Sequence, residues 1–205
     1  MSSKYFPVFL DLEGKNVLVI GSGPVARQKI RSLSGTGCRV TVVSAGPKPV
    51  GQKNVQYKNR PFRASDLAGR DLVFCATGDE PLNRLVGKLC RRKGILVNVA
   101  DRPNLCSFIM PSLVRRGGVT FAISTGGRSP ALAKFLRKKL EKHFPRAVGG
   151  LAQILRGARN RIIQLPLKQR RALLSRILNE RSLSQIKRGW GGRVRRNLNL
   201  LLKGV

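Results

Sequence analysis

"NVLVIGSGPVARQKI", residues 16–30, decides how this chain is read. Its first part, "NVLVIG", is a short apolar run without alternation, as expected of a strand covered on both faces. The run breaks into Gly21-Ser22-Gly23-Pro24-Val25-Ala26, which fits G-x-G-x-x-A, and then continues as "VARQKIRSLSGTG" with Val25, Ile30 and Leu33 at helical spacing. A strand, a glycine turn and a helix in that order is the context in which this short pattern carries meaning. Gly21 permits the tight turn, Gly23 omits a side chain where a pyrophosphate would approach the backbone, and Ala26 allows close helix–strand packing. The first turn of the helix offers unpaired N–H groups and the positive end of its dipole to phosphates. A structural corner without a ligand would use glycine too, so the motif alone leaves both readings open.

Working outward, "CRVTVVS" is rich in β-branched residues, and "DLVFCATGD" (71–79) and "ILVNVAD" (95–101) are further apolar runs separated by the helical "PLNRLVGKLCRRKG". Alternating strands and helices imply right-handed crossovers and a mostly parallel sheet covered by helices on both faces. After Asp101 the pattern changes. "SFIMPSLVRRGGVTFAIST" reads as two extended segments around a Gly-Gly turn. "GGRSPALAKFLRKKLEKHF" follows, with Ser129 as helix cap, Pro130 in the first turn, and Leu132, Phe135, Leu136, Leu140 and Phe144 along one face. "PRAVGG" (145–150) reads as a boundary because Pro and paired Gly punctuate there. From residue 151 onward the apolar spacing is helical throughout. The expected fold is α/β, a Rossmann-like parallel sheet domain followed by a small α+β region and a C-terminal helical domain.

The 205 residues suffice for one good core and an appendage, and 41% apolar residues argue against disorder. No apolar run approaches the roughly 18 residues of a membrane helix, and "MSSKYFPVFLDLEGK" lacks a basic region followed by a long apolar core, so a soluble, cytoplasmic protein is expected. Cys38, Cys75, Cys90 and Cys106 form no C-x-x-C pair, and His143 is the single histidine, which leaves no zinc site and suggests free thiols. The charge is the odd feature: 41 Lys and Arg face 9 Asp and Glu, for a formal net of +32. Such a field attracts polyanions, whether nucleic acid, an anionic membrane surface or a small polycarboxylate.

Three places could carry chemistry. The second strand ends in Val42-Val43-Ser44, without the acidic residue that would bond the ribose hydroxyls of NAD; Ser44 could bond them more weakly and would not repel a 2′-phosphate. Asp101 follows a strand at the carboxyl edge of the sheet, beside Arg102, where a carboxylate could accept protons; a turn-forming Asp before "RPN" is the alternative. "STGGRSP" (124–130) could hold carboxylates through hydroxyls, N–H groups and Arg128, or be an ordinary loop leading into a helix. His143 reads as a surface residue complementing a helix dipole, and Trp190 as a packing anchor for the tail.

Taken together, "FPVFLDLEGKNVLVIGSGPVARQKIRSL", "FCATGDEPLN" and "VNVADRPNLCSFIMPSLVRRGGVTFAISTGGRSPALAKFLRKKLE" resemble, in that order, the precorrin-2 dehydrogenase family, the N-terminal module of siroheme synthases. The likeness is detailed over about residues 5–145 and looser in "RRALLSRILNERSL". It implies an NAD-binding Rossmann domain at 1–112, a dimerisation region at 113–148 and a C-terminal helical domain at 149–205. It further implies NAD-dependent oxidation of precorrin-2, a polycarboxylate tetrapyrrole, to sirohydrochlorin in a homodimer; some members also insert iron into the product. By position Asp101 matches the family's catalytic aspartate. Pro24, Val25, Ala45 and Gly46 match cofactor-contacting positions, joined by Gly21, Gly23, Ala26, Ser44 and Thr77. Ser124, Thr125, Gly126 and Arg128 fall in the substrate pocket, with Thr125 where a family member carries serine. The competing reading is a nucleotide-sensing nucleic-acid-binding protein that uses the basic surface.

Overall fold

The computed structural model describes residues 4–48 and 55–204. The chain forms two compact units, Met1–Met110 and Pro111–Val205.

The first unit contains β1 (Asn16–Ile20), α1 (Pro24–Ser32), β2 (Arg39–Ser44), β3 (Val55–Asn59), β4 (Leu72–Cys75), α2 (Glu80–Arg92) and β5 (Leu96–Val99). The strands form one sheet in the order β3-β2-β1-β4-β5, with every pairing parallel. Because side chains alternate across a strand, β1 feeds two separate cores. Val17 and Val19 pack with Ala26 and Ile30 of α1, while Leu18 and Ile20 pack with Val86 and Cys90 of α2. Burial on both faces is why the central strands read as unbroken apolar runs. Each such Val, Leu or Ile withdrawn from water contributes about 1.5–3 kcal/mol.

β3, with the sequence VQYKN, is a strand that apolar-run reading does not find. It lies at the sheet edge and pairs only with β2, so Val55 and Tyr57 alternate with polar residues. The chain runs from β1 outward to β2 and β3, then returns to β4 on the other side of β1. In open parallel sheets the crevice at such a reversal, beyond the carboxyl ends of the strands, is where ligands bind.

The second unit begins with an antiparallel hairpin, β6 (Ser112–Arg116) and β7 (Val119–Ile123), joined by Gly117-Gly118 as expected. α3 (Pro130–His143) follows, with the Ser129 hydroxyl oxygen accepting from Leu132 N. Then come α4 (Ala147–Gln164), α5 (Leu167–Ile177), α6 (Glu180–Lys187) and α7 (Gly191–Lys203), closed around Leu151, Ile154, Ile162, Ile177, Val194 and Leu198.

Gly149 and Gly150, expected to punctuate the chain, lie inside α4. Their role is close packing. A Cβ on Gly149 would stand 2.4 Å from the Arg116 carbonyl oxygen, and one on Gly150 would stand 2.8 Å from Ile186 Cγ2. α4 thus seats its first turns directly against the hairpin backbone and α6.

Candidate functional site

The glycine turn stands at the reversal between β1 and β4. Gly21 has φ +108°, and a Cβ there would meet the Ala76 carbonyl oxygen at 2.4 Å, so only glycine fits. Its N–H donates to Val43 O (2.9 Å), tying the turn to β2. Gly23 has no such internal reason: it caps α1 in extended backbone, and an added Cβ would meet nothing within 4 Å. The space it keeps open faces the first turn of α1, where Pro24 sets the helical φ and no acidic side chain intrudes. Ala26 is fully buried against the α1 side of the sheet. This cradle, which a side chain would partly fill, fits the pyrophosphate of a dinucleotide.

The end of β2 joins the same edge. Ser44 Oγ lies 3.1 Å from Ser22 Oγ and accepts from Gly46 N at 3.1 Å. The Tyr57 hydroxyl donates to the carbonyls of Ser44 and Gly46, so the edge strand fixes the Ser44-Ala45-Gly46 bend. After β4, the Thr77 hydroxyl donates to Asn83 Oδ1 (2.7 Å), and Asn83 Nδ2 returns a bond to Thr77 O (3.2 Å). Tyr57 and Asn83 therefore hold positions proposed for cofactor contact. Sequence reading passed over both, because their partners are set by tertiary packing.

Asp101 follows β5 on that same carboxyl edge, anchored by Ala100 N donating to Cys75 O (2.8 Å). Its φ of +56° makes it the sole non-glycine residue in the left-handed region among those described. Such a conformation costs on the order of 1–3 kcal/mol and recurs where function demands it. Arg102, expected to sit beside the Asp101 carboxylate, instead bonds Glu80 Oε2 through Nε (2.6 Å) and reaches only the Asp101 backbone oxygen, through Nη1. Arg102 thus pairs across to α2, and the Asp101 carboxylate makes no hydrogen bond or ion pair with the described residues. It is exposed and open to a ligand.

Lys29 of α1 is the cation near Asp101. Its Nζ lies 5.8 Å from the centre of the Phe74 ring, and Phe74 packs edge-on against Phe108. Burial lowers the Lys29 pKa, and electrostatic interaction with Cys106 and Asp101 partly offsets this. Burial likewise raises the Cys106 thiol, while its bond to the Val99 backbone and the nearby Lys29 charge oppose the rise. Lys29 lies 72 residues from Asp101 in sequence, and no short motif links the two.

In the second unit, the 124–130 loop is built by its own hydroxyls. Thr125 Oγ1 accepts from Ser129 N (3.0 Å) and donates to Ser129 O (3.1 Å), which closes the loop onto α3. Ser124 Oγ accepts from Gly126 N (3.1 Å) and keeps its proton for another acceptor. Arg128 is exposed, and its guanidinium has no partner among the described residues. Thr125 is therefore a loop-closing residue in its own unit, and Ser124 and Arg128 are the groups left open. The first unit brings Gly21, Gly23, Pro24, Val25, Ala26, Ser44, Ala45, Gly46, Thr77 and Asp101 to one sheet edge; Ser124, Thr125, Gly126 and Arg128 belong to the second unit.

The model of an NAD(P)-binding family matches residues 8–112, and the model described as "Sirohaem biosynthesis protein central" matches residues 116–143. The chain is 42% identical over 163 residues to a siroheme synthase of Thioalkalivibrio sulfidiphilus, covering 77% of this chain and 33% of that protein. It is 40% identical over 173 residues to a siroheme synthase of Ectopseudomonas mendocina, covering 82% of this chain and 37% of that one. The chain thus spans about a third of the length of the curated relatives it matches. A solved structure named as SirC, a precorrin-2 dehydrogenase, superposes with a TM-score of 0.79 at 24% identity, covering 98% of this chain and 100% of that one. That likeness shows the fold, a Rossmann-like parallel sheet followed by a hairpin and a helical region.

Proposed function

The chain belongs to the NAD(P)-binding family whose model spans its first unit, and we propose that it is an NAD-dependent precorrin-2 dehydrogenase that forms sirohydrochlorin in siroheme biosynthesis. The observation that carries this reading is one sheet edge holding both the open cradle at Gly23 and the unengaged Asp101 carboxylate on strained backbone.

The reaction removes a hydride and a proton from the macrocycle, and the nicotinamide, when bound, supplies the hydride acceptor. This chain's residues do the rest. Gly21, Gly23 and the first turn of α1 would hold the pyrophosphate, with Pro24, Val25 and Ala26 shaping the helix beneath it. Ser44, Ala45 and Gly46, fixed by Tyr57, would meet the adenosine ribose, and Thr77, fixed by Asn83, would border the nicotinamide half. Asp101 accepts the ring proton as general base. The Ser124 hydroxyl and Arg128 suit the substrate's carboxylates, with Gly126 turning the loop and its N–H holding Ser124 Oγ in place. Thr125 supports them by closing the loop.

The partner proposed for this chain is a second copy of itself. None of the residues of α3 is buried, and Leu132, Phe135 and Leu136 stand between 38% and 54% exposed on it. A homodimer would cover that face, and sedimentation should give twice the chain mass of 22.6 kDa. No helix among the described residues is long and apolar enough to cross a membrane, and the proposed location is the cytoplasm.

The test is anaerobic assay of the whole chain with precorrin-2 and either NAD or NADP, followed at the absorbance band of the reduced nicotinamide. Reduction that depends on precorrin-2 and is lost in Asp101→Ala supports the reading. Absence of reduction with both cofactors overturns it. Adding ferrous iron and sirohydrochlorin to the same protein separates a dehydrogenase from one that also inserts iron.

A further inference from the structure

The charge exceeds what capture of one small polycarboxylate requires, and a large share of it lies in the C-terminal helices. Between Ala147 and Gly204, the four helices α4–α7 carry eleven Arg and three Lys against Glu180 alone. Every one of these cations except Arg170 is exposed. The ion pairs of the structure lie elsewhere: none among the described residues involves α4–α7. Like charge concentrated on so small a bundle opposes its own compact state, and a bound polyanion would relieve that repulsion. The predominance of Arg matters as well, because the guanidinium fork matches phosphate oxygens two at a time, whereas Lys acts as a point charge.

Trp190 supplies the second observation. Sequence reading made it a packing anchor, yet it is 42% exposed at the junction of α6 and α7. Its backbone N–H is fixed on Gln185 O (2.8 Å), and its ring is flanked by the guanidinium carbons of Arg193 (4.7 Å) and Arg188 (5.6 Å). The helices need no aromatic there, since their own core is closed by aliphatic residues. An exposed indole ringed by arginines combines a stacking face with phosphate-binding groups, the pairing by which single-stranded nucleic acid is held without sequence readout. A membrane surface is the poorer match. Interfacial helices keep a broad apolar face for the lipid, whereas α4–α7 turn theirs inward on one another.

We propose that the α4–α7 bundle binds single-stranded nucleic acid through its phosphodiester backbone, with Trp190 stacking on a base and Arg188, Arg193 and Arg196 on the flanking phosphates. This site is separate from the dinucleotide edge and stands whether or not the chain oxidises precorrin-2.

The test uses the whole chain and fluorescent oligothymidylate, titrated by anisotropy over a range of salt concentrations. The chain holds a single tryptophan, so its emission reports on Trp190 alone. The parent protein should bind with steep salt dependence and quenched tryptophan emission. The variant Arg188→Gln/Arg193→Gln/Arg196→Gln should bind on the order of tenfold more weakly, with a salt slope reduced by about 2, at about 0.7 for each phosphate no longer neutralised. The variant Lys88→Gln/Arg92→Gln/Lys93→Gln removes the same charge from exposed positions on and just after α2 and should bind as the parent does. Circular dichroism verifies that both remain helical. Equal weakening in the two variants would show a diffuse charge effect and overturn the proposal. So would binding without a change in Trp190 emission, or the same emission change on phosphatidylserine vesicles that oligothymidylate fails to reverse.

Discussion

Ser22 and Ser44 meet hydroxyl to hydroxyl at 3.1 Å, which joins the glycine turn to the end of β2. The residue at the end of β2 ordinarily decides between the two nicotinamide cofactors, because an acidic side chain there bonds the ribose hydroxyls and repels a 2′-phosphate. Ser44 does neither strongly. Ser44→Asp should therefore keep the use of NAD and lower kcat/KM with NADP tenfold or more, the cost of setting a carboxylate against a phosphate. Steady-state kinetics with both cofactors checks this, and an unchanged NADP-to-NAD ratio would place the adenosine ribose elsewhere.

The left-handed backbone of Asp101 sets stability against chemistry. Asp tolerates that conformation better than Ala, and Gly adopts it without strain. Asp101→Gly should be as stable as the parent or more stable by up to about 1 kcal/mol, and Asp101→Ala less stable than the parent. Both should lose about 10²- to 10⁴-fold in turnover, the usual contribution of a positioned general base. Thermal unfolding beside turnover reads the two effects apart. Retained turnover in either variant would remove the base from Asp101.

The parallel sheet was legible because strands buried on both faces leave unbroken apolar runs, as in β1 and β4. β3 was not, since the only apolar side chains this edge strand partly buries are Val55 and Tyr57, and it reads like a loop. Gly149 and Gly150 misled for a different reason: glycine marks a close approach as readily as a chain break, and only the neighbouring Arg116 carbonyl and Ile186 show which applies. At the site, the residues proposed to touch a ligand carried a motif, but those that hold them in place did not. Asn83 behind Thr77 and Tyr57 behind Ser44 are ordinary in sequence, and Arg102 turned from its neighbour Asp101 toward Glu80 on α2.

Lys29 carries a cost that the fold accepts beside Asp101. Burial lowers its pKa, so the charged form is disfavoured in the folded state relative to the unfolded one. That cost is present in full at neutral pH and fades as pH rises into the lysine range, where both states lose the proton. Lys29→Met should therefore raise the melting temperature at pH 7 and leave a smaller gain at pH 10. If the charge serves to draw substrate carboxylates toward Asp101, the same variant should raise KM for precorrin-2 several-fold. A variant that melts lower than the parent at pH 7 would show that the partners of Lys29 outweigh its desolvation.

Acid should weaken the sheet edge through Asp66. This buried carboxylate accepts a two-pronged bond from Arg60 (2.8 and 2.6 Å) and a third from Arg63 N (2.9 Å), clamping the residue after β3 to the 3-10 turn Ala64–Leu67. The Arg60 bonds hold its pKa down to about 2, against the desolvation that opposes them. A carboxyl depressed on folding contributes stability above its unfolded pKa, near 3.8, and that contribution disappears as pH falls toward 2. The amount at stake is at most about 2 kcal/mol. Asp66→Asn keeps the shape and removes the charge, so it should be destabilised by that amount at pH 7 and match the parent near pH 2. Urea unfolding across this range measures the gap between the two proteins, and a gap that stays constant down to pH 2 would show that Asp66 acts through its shape alone.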